Sequence, residues 1–223
     1  MAPEGLPDPL AVALAAAAIL DRLGIPYVTV GSFASSLHGE PRSTDDIDFV
    51  ADLRAPHVAP LVHALRGEWY VSDAAVDEAV RRGSSFNAIH LSSGVKVDVF
   101  VVGADPFDAH RIASARSVDV GPSGGGGGAA VLRVDTAEYT VLRKLEWFRR
   151  GGEVSDRQWR DVVGILRAQG ARLDRADLTR WAERLGVVDL LTHALGRSAS
   201  VSGCGHVPKV YSTGQTRAPT MRG

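Results

Sequence analysis

Two aspartates separated by one residue, Asp46 and Asp48, stand where a predicted strand over residues 47–51 begins. Side chains alternate between the two faces of a strand, so both carboxylates point to one side and Ile47 points to the core. Two like charges held together need a cation, and carboxylate oxygens are ligands that Mg²⁺ prefers. The spacing therefore predicts a divalent-ion site that takes triphosphate oxygens and water as its remaining ligands.

A third aspartate, Asp98, lies in a second predicted strand between Val97 and Val99. The two valines anchor that strand in the core, which leaves Asp98 on the opposite face. Three carboxylates allow a two-metal arrangement, in which one ion activates an attacking hydroxyl and the other holds a leaving pyrophosphate. We predict two Mg²⁺ ions, replaceable by Mn²⁺, with Asp46, Asp48 and Asp98 as metal ligands and catalytic residues.

Gly31 and Ser32 follow a β-branched and aromatic strand over residues 27–30 and precede a short helix over residues 33–38. Backbone N–H groups at a helix N-terminus favour anions, so this turn predicts a site for the β- and γ-phosphates. Ser32 is then a phosphate ligand rather than a nucleophile. Alone, a Gly-Ser turn or a D-x-D pair is more often structural. Both motifs in this order along one chain occur together much more rarely.

This order of motifs resembles the nucleotidyltransferase superfamily, whose pattern is a hydrophobic strand, Gly-Ser or Gly-Gly, a D-x-D strand and a third carboxylate. The resemblance covers about residues 25–102, and residues 30–48 look most like bacterial proteins grouped with AbiEii/AbiGii-type toxins. Residues 144–152 and 155–161 look like the helical half of that group. The resemblance implies a mixed sheet that carries the carboxylates and a helical bundle that closes over a nucleotide.

The resemblance also implies roles for basic residues and for partners. Lys144 matches the helical lysine that such proteins direct at the triphosphate, whereas Arg42 either reaches a phosphate or braces its loop. Arg157 either adds positive charge near the site or forms an i,i+4 pair with Asp161 on a solvated helix face. The implied activity transfers a nucleoside monophosphate from a triphosphate to a hydroxyl, which in toxin members belongs to an RNA end; a cognate antitoxin is an implied partner.

Metal and triphosphate sites do not encode the acceptor, so RNA, a small hydroxylated molecule such as an aminoglycoside, and a protein side chain all fit. A different class of function is a catalytically silent nucleotide-binding regulator or toxin–antitoxin partner that kept the fold. A purely structural module leaves three strand aspartates unexplained, because isolated buried carboxylates are costly unless paired. We therefore expect an enzyme.

The composition sets further expectations. The chain has 25 basic and 26 acidic residues, so no global charge draws it to nucleic acid or an anionic membrane. Cys204 is the only cysteine, which fits a reducing compartment, and the cytoplasm is the expected location. The apolar run over residues 9–20 is too short for a membrane span and lacks the basic flank of a signal peptide.

Together with this resemblance, the elements that position these residues lead us to expect an α+β fold, in which the resemblance implies a nucleotidyltransferase-like mixed β-sheet with flanking helices and a C-terminal helical bundle. Helices are expected over residues 10–23, 55–66 and 76–82, and a hairpin over 86–91 and 95–102. Asp135 with Glu138, and Ser155 with Gln158, have the spacing of capping boxes that begin two later helices. The predicted organisation is a core over residues 1–120, a glycine-rich linker over 121–130, a helical region over 131–197 and a disordered tail over 198–223.

Overall fold

The computed structural model describes residues 9–41, 44, 46–121 and 130–200, and a seven-stranded mixed sheet lies at its centre. The strands, in chain order, are β1 (Tyr27–Thr29), β2 (Asp46–Ala51), β3 (Trp69–Tyr70), β4 (Ser85–His90), β5 (Lys96–Val101), β6 (Arg116–Asp119) and β7 (Val131–Val134). The first helices are α1 (Pro9–Arg22), α2 (Gly31–His38), α3 (Val58–Leu65), α4 (Asp73–Arg82) and α5 (Pro106–Ser114). The later helices are α6 (Ala137–Arg150), α7 (Asp156–Gln169), α8 (Arg175–Leu185) and α9 (Val188–Ser200).

The strands are ordered β3-β4-β5-β2-β1-β7-β6 across the sheet. The pairs β2–β5 and β1–β7 are parallel, and the other neighbouring pairs are antiparallel. The predicted hairpin of β4 and β5 is confirmed as antiparallel. The central position of β2 places its first residues between β5 and the strand that leads into α2.

The two faces of the sheet pack against different helices. Ile47 and Phe49 of β2, both fully buried, share a core with α1, α3 and α4 on one face. Val50 packs with Val28 and with Ile112 of α5 on the other. Because side chains alternate along β2, Asp46 and Asp48 share the α5 face with Val50.

The helical half has its own core and is joined to α2. Helices α6, α7, α8 and α9 bury a separate apolar cluster that includes Leu142, Ile165 and Trp181. Gln169 of α7 donates through Nε2 to the carbonyl of His38 over 2.7 Å, and His38 Nε2 donates to the carbonyl of Asp135 over 2.6 Å. These contacts hold α2 between the sheet and the helical half.

The expected capping box of Asp135 and Glu138 is wrong. Thr136 is the N-cap of α6, and its hydroxyl accepts from the backbone N–H of Tyr139. Asp135 instead lies fully buried and accepts from Nε and Nη2 of Arg111 over 2.9 Å and 2.5 Å. A buried carboxylate needs a charged partner, and α5, which the sequence did not reveal, supplies it.

Several expected boundaries also differ from the structure. Residues 131–134 were expected to begin the helical region. They instead form β7, which lies between β1 and β6 in the sheet. Helix α9 continues to Ser200, past the expected start of a tail at 198. Most of the glycine-rich stretch (122–129) and residues 201–223 lie outside the described residues, so the linker and tail stay predictions. None of the described helices is both long and apolar enough to cross a membrane.

Candidate active site

The parallel pairing of β2 with β5 brings the three predicted aspartates together. Asp48 lies directly opposite Asp98 in the register, and Asp46 lies opposite Lys96. Neighbouring strands are about 4.8 Å apart, so these side chains are immediate neighbours on one face. Ile47 is fully buried on the other face, as the alternation predicted. The structure thus places Asp46, Asp48 and Asp98 on one face of the sheet, in the first halves of two interior strands.

Gly31 lies against the carboxylate of Asp48. Its φ is +67°, and a Cβ at this position would be 2.0 Å from Asp48 Oδ2 and 2.8 Å from its Cγ. The N–H of Val30 donates to the carbonyl of Asp48 over 2.9 Å, which fixes the end of β1 beside β2. Only glycine combines this conformation with this close approach, so the beginning of α2 sits directly beside the carboxylates.

Ser32 occupies the first turn of α2, next to Gly31. The N-cap residue of this helix is Val30, whose side chain makes no capping hydrogen bond. Nη2 of Arg157, which belongs to α7, donates to Ser32 Oγ over 3.4 Å. Arg157 thus reaches across to α2 rather than pairing with Asp161 along its own helix. A helix N-terminus and a guanidinium therefore meet beside the carboxylates, a combination that favours an anion.

The carboxylate cluster carries an excess of negative charge. Burial raises the pKa of Asp48, and the neighbouring charges of Asp98 and Asp46 raise it further, while Lys96 and Lys144 oppose the rise. A divalent cation would relieve this repulsion, and the donor set consists of the hard oxygen ligands that Mg²⁺ and Mn²⁺ take. The residues present therefore fit such an ion. Across the described ranges, however, no three His, Cys, Asp or Glu side chains are already arranged around one metal position.

Lys96 belongs to the carboxylate cluster, although its spacing from Asp98 was not recognised in the sequence. Its Nζ lies 2.6 Å from Asp98 Oδ2, and the two side chains are 42% and 23% exposed. The available signal was the spacing of Lys96 and Asp98, since residues i and i+2 of a strand share a face. Asn87 of β4 lies opposite Asp98 on its other side and was missed as well.

Lys144 extends from α6 toward the same site. Its charge acts on Asp48, and its Nζ donates to Asp161 Oδ2 of α7 over 2.8 Å, with both side chains 13% exposed. Asp161 therefore holds Lys144 across the α6–α7 interface, a contact that helical spacing did not predict. Of the other predicted nucleotide-binding residues, the structure places Gly31 and Ser32 at the site, whereas Arg42 lies outside the described residues.

A separate groove lies away from these residues. An open groove of about 610 Å³ runs between α3 and α4 and includes Val62, His63, Arg66 and Asp73 in its lining. Both helices pack on the sheet face that carries Ile47, which is opposite to the carboxylates. The groove thus contains none of the predicted site residues.

No family model and no curated protein match the chain. Among solved structures, it is similar to an antigenic nucleotidyltransferase-like protein from Paracoccidioides brasiliensis, with 16% identity over 85% of this chain and 92% of that chain and a TM-score of 0.49. ANT(2'')-Ia, in complex with adenylyl-2''-tobramycin, has 16% identity over 83% and 97% and a TM-score of 0.48. A CCA-adding enzyme with ATP has 15% identity over 86% and 51% and a TM-score of 0.33. Similarity at this level concerns the chain path, and the chemistry must follow from this chain's own side chains.

Proposed function

We propose that this chain transfers a nucleoside monophosphate from a nucleoside triphosphate to a hydroxyl acceptor. The observation that carries the proposal is the pairing of Asp48 with Asp98 on adjacent parallel strands, with Asp46 on the same face and Gly31 packed against Asp48. Three carboxylates beside a helix N-terminus suit a metal-bound polyphosphate better than a structural role, because Lys96 and Lys144 only partly offset the repulsion that Asp46 and Asp98 exert on Asp48.

The triphosphate would lie between the first turn of α2 and the helical half. Backbone N–H groups at Gly31 and Ser32 would meet the β- and γ-phosphates, and the positive end of the helix dipole would favour their charge. Lys144, held by Asp161, would add an ammonium from the opposite side. Arg42 remains a predicted phosphate ligand from the loop before β2.

The reaction forms a bond between the acceptor oxygen and the α-phosphorus and breaks the bond from that phosphorus to the leaving pyrophosphate. Asp46 and Asp48 would hold divalent ions, with Asp98 as a further ligand or as the base that takes the hydroxyl proton. When bound, such ions supply charge neutralisation at the phosphates and acidify the attacking hydroxyl. The protein's own contribution is to orient the triphosphate and the proton acceptor on one face of the sheet.

The proposal also concerns the identity of the acceptor. The resemblance to AbiEii/AbiGii-type toxins favours an RNA end, with a cognate antitoxin as a protein partner in the cytoplasm. A small hydroxylated molecule is the second candidate, because the described face of β2 and β5 carries the three carboxylates, which repel a polyanionic acceptor. Both acceptors use the same nucleotide site and differ only in what approaches Asp98.

The first experiment supplies each labelled nucleoside triphosphate and Mg²⁺ to the purified protein, with total cellular RNA or with a panel of aminoglycosides. We expect label in one acceptor class, and its loss in Asp48→Asn and Asp98→Asn. The matched control is Asp52→Asn, since Asp52 follows the other end of β2 and pairs with exposed Arg54. The control should retain transfer.

Triphosphate binding separates the two function classes. Mg²⁺-dependent binding that is lost in Asp48→Asn, without transfer to any acceptor or to the protein itself, would replace the enzyme with the silent nucleotide-binding regulator. Binding and transfer that survive Asp48→Asn and Asp98→Asn would show that the site is misassigned. Circular dichroism of each variant checks that the fold is retained.

A further inference from the structure

The cluster of three carboxylates contains an ammonium of the chain itself. Lys96 is the first residue of β5, lies opposite Asp46 in the register and contacts Asp98 on its own strand. Resting on the function proposed above, we propose that Lys96 is a resident counter-ion, which engages Asp98 in the metal-free protein and must release it when a divalent cation binds.

The contact is specific rather than one of many surface pairs. Lys96 Nζ lies 2.6 Å from Asp98 Oδ2, the distance of a strong charge-assisted hydrogen bond. The hydrogen bond to Asp98 is the main cause that raises the pKa of Lys96, and the charges of Asp46 and Asp48 act in the same direction. One ammonium thus interacts with all three carboxylates that the proposed metal site requires.

The contact between Lys96 and Asp98 can also break. The side chain of Lys96 is 42% exposed, and its flexible stem can carry the ammonium into water without any backbone movement. Lys144 differs, because it and Asp161 are each only 13% exposed at the interface of α6 with α7. Of these two lysines, Lys96 is therefore the one that a competing ion can displace more easily.

Displacement has a thermodynamic consequence. A divalent ion that uses Asp98 must first break the Lys96 contact, and any Lys96 charge that stays nearby repels the ion. Lys96 should therefore weaken metal binding, so that removing its charge tightens binding. A lysine that served only to stabilise β5 would have no such effect on metal affinity.

The test titrates Mn²⁺ alone into the full chain and measures free Mn²⁺ by electron paramagnetic resonance. Lys96→Met should bind Mn²⁺ about tenfold more tightly than the unmodified protein, which is the order expected for one unit charge at a partly exposed site. Lys96→Gln, which keeps a polar end, should shift affinity in the same direction. Arg54→Met removes an exposed cation paired with Asp52 and should leave Mn²⁺ affinity unchanged.

A double-mutant cycle ties the effect to Asp98. In an Asp98→Asn background, the gain in Mn²⁺ affinity from Lys96→Met should fall to less than half of its original size. The reason is that the carboxylate that pairs with the lysine is gone. As a second readout, Mn²⁺ should raise the thermal midpoint of Lys96→Met more than that of the unmodified protein.

The outcomes separate this proposal from the function it rests on. Equal or weaker Mn²⁺ binding by both Lys96 variants, with the unmodified protein still binding, would overturn the counter-ion role and leave the proposed transfer intact. Absence of Mn²⁺ binding in every protein would overturn both the counter-ion role and the metal dependence. An equal gain in Mn²⁺ affinity in Arg54→Met would show that the effect comes from the net charge of the protein, and it would also overturn the proposal.

Discussion

Replacing Gly31 with alanine perturbs the fold and the candidate site through one contact. The new Cβ would lie 2.0 Å from Asp48 Oδ2 and 2.8 Å from Asp48 Cγ, on a residue whose φ is +67°. The left-handed conformation costs a residue with a Cβ about 1–2 kcal/mol. Relieving the overlap by moving Asp48 or α2 costs roughly 1–3 kcal/mol more. Gly31→Ala should therefore lower the free energy of unfolding by roughly 2–5 kcal/mol.

Gly24 offers a control that separates the two contributions. Its φ is +64°, and no described atom lies within 4 Å of a Cβ placed there. Gly24→Ala should thus show only the backbone cost, about 1–2 kcal/mol. Urea unfolding followed by circular dichroism, without divalent ions, measures both variants. Mg²⁺-dependent triphosphate binding should be lost in Gly31→Ala and kept in Gly24→Ala.

An Asp48→Ala background tests the contact itself. Removing the carboxylate removes the two closest atoms and leaves the Cβ of residue 48 at 3.1 Å, so Gly31→Ala should then cost clearly less than it does in the unmodified protein. The coupling between Gly31 and Asp48 should be on the order of 1–3 kcal/mol. Equal costs for Gly31→Ala and Gly24→Ala, or no coupling in the cycle, would refute the assignment of this glycine to a close approach.

Two further predictions concern buried groups outside the site. Arg111→Met should lower the free energy of unfolding by about 3–5 kcal/mol because it strands the buried Asp135 charge, and Arg111→Met/Asp135→Leu should recover part of that loss in urea unfolding. A double variant no more stable than the single one would contradict this account. Burial and the neighbouring Asp21 raise the pKa of Tyr27 to about 12. This value exceeds the unfolded value of about 10, so the contribution of Tyr27 to stability is full below about pH 10 and is lost as the pH rises through about 12. Tyr27→Phe should show a shallower loss of unfolding free energy over that range, and an unchanged slope would argue against it.

The local part of the site was predictable from the sequence. Period-two alternation placed Asp46 and Asp48 on one face and Ile47 in the core, and a β-branched strand before Gly31 located the turn into α2. These features depend on residues within a few positions of each other. Backbone geometry alone determines the direction in which side chains at such spacings point.

The partners of these residues were not predictable in the same way. Arg157 was paired with Asp161 as an alternative from helical spacing, yet it contacts Ser32, and Asp161 holds Lys144. Asp135 was expected to cap a helix but forms a buried ion pair with Arg111. Each of these choices depends on how α5, α6 and α7 pack, which no local pattern specifies.

The sequence by itself determined which residues could form a carboxylate and phosphate site and which way they point along their own strands. The tertiary structure decided that β2 lies parallel to β5 in the register that pairs Asp48 with Asp98, and that Lys96 shares their face. Register and helix docking follow from the simultaneous packing of distant apolar surfaces, and a shift of one residue would have sent these side chains to the opposite face.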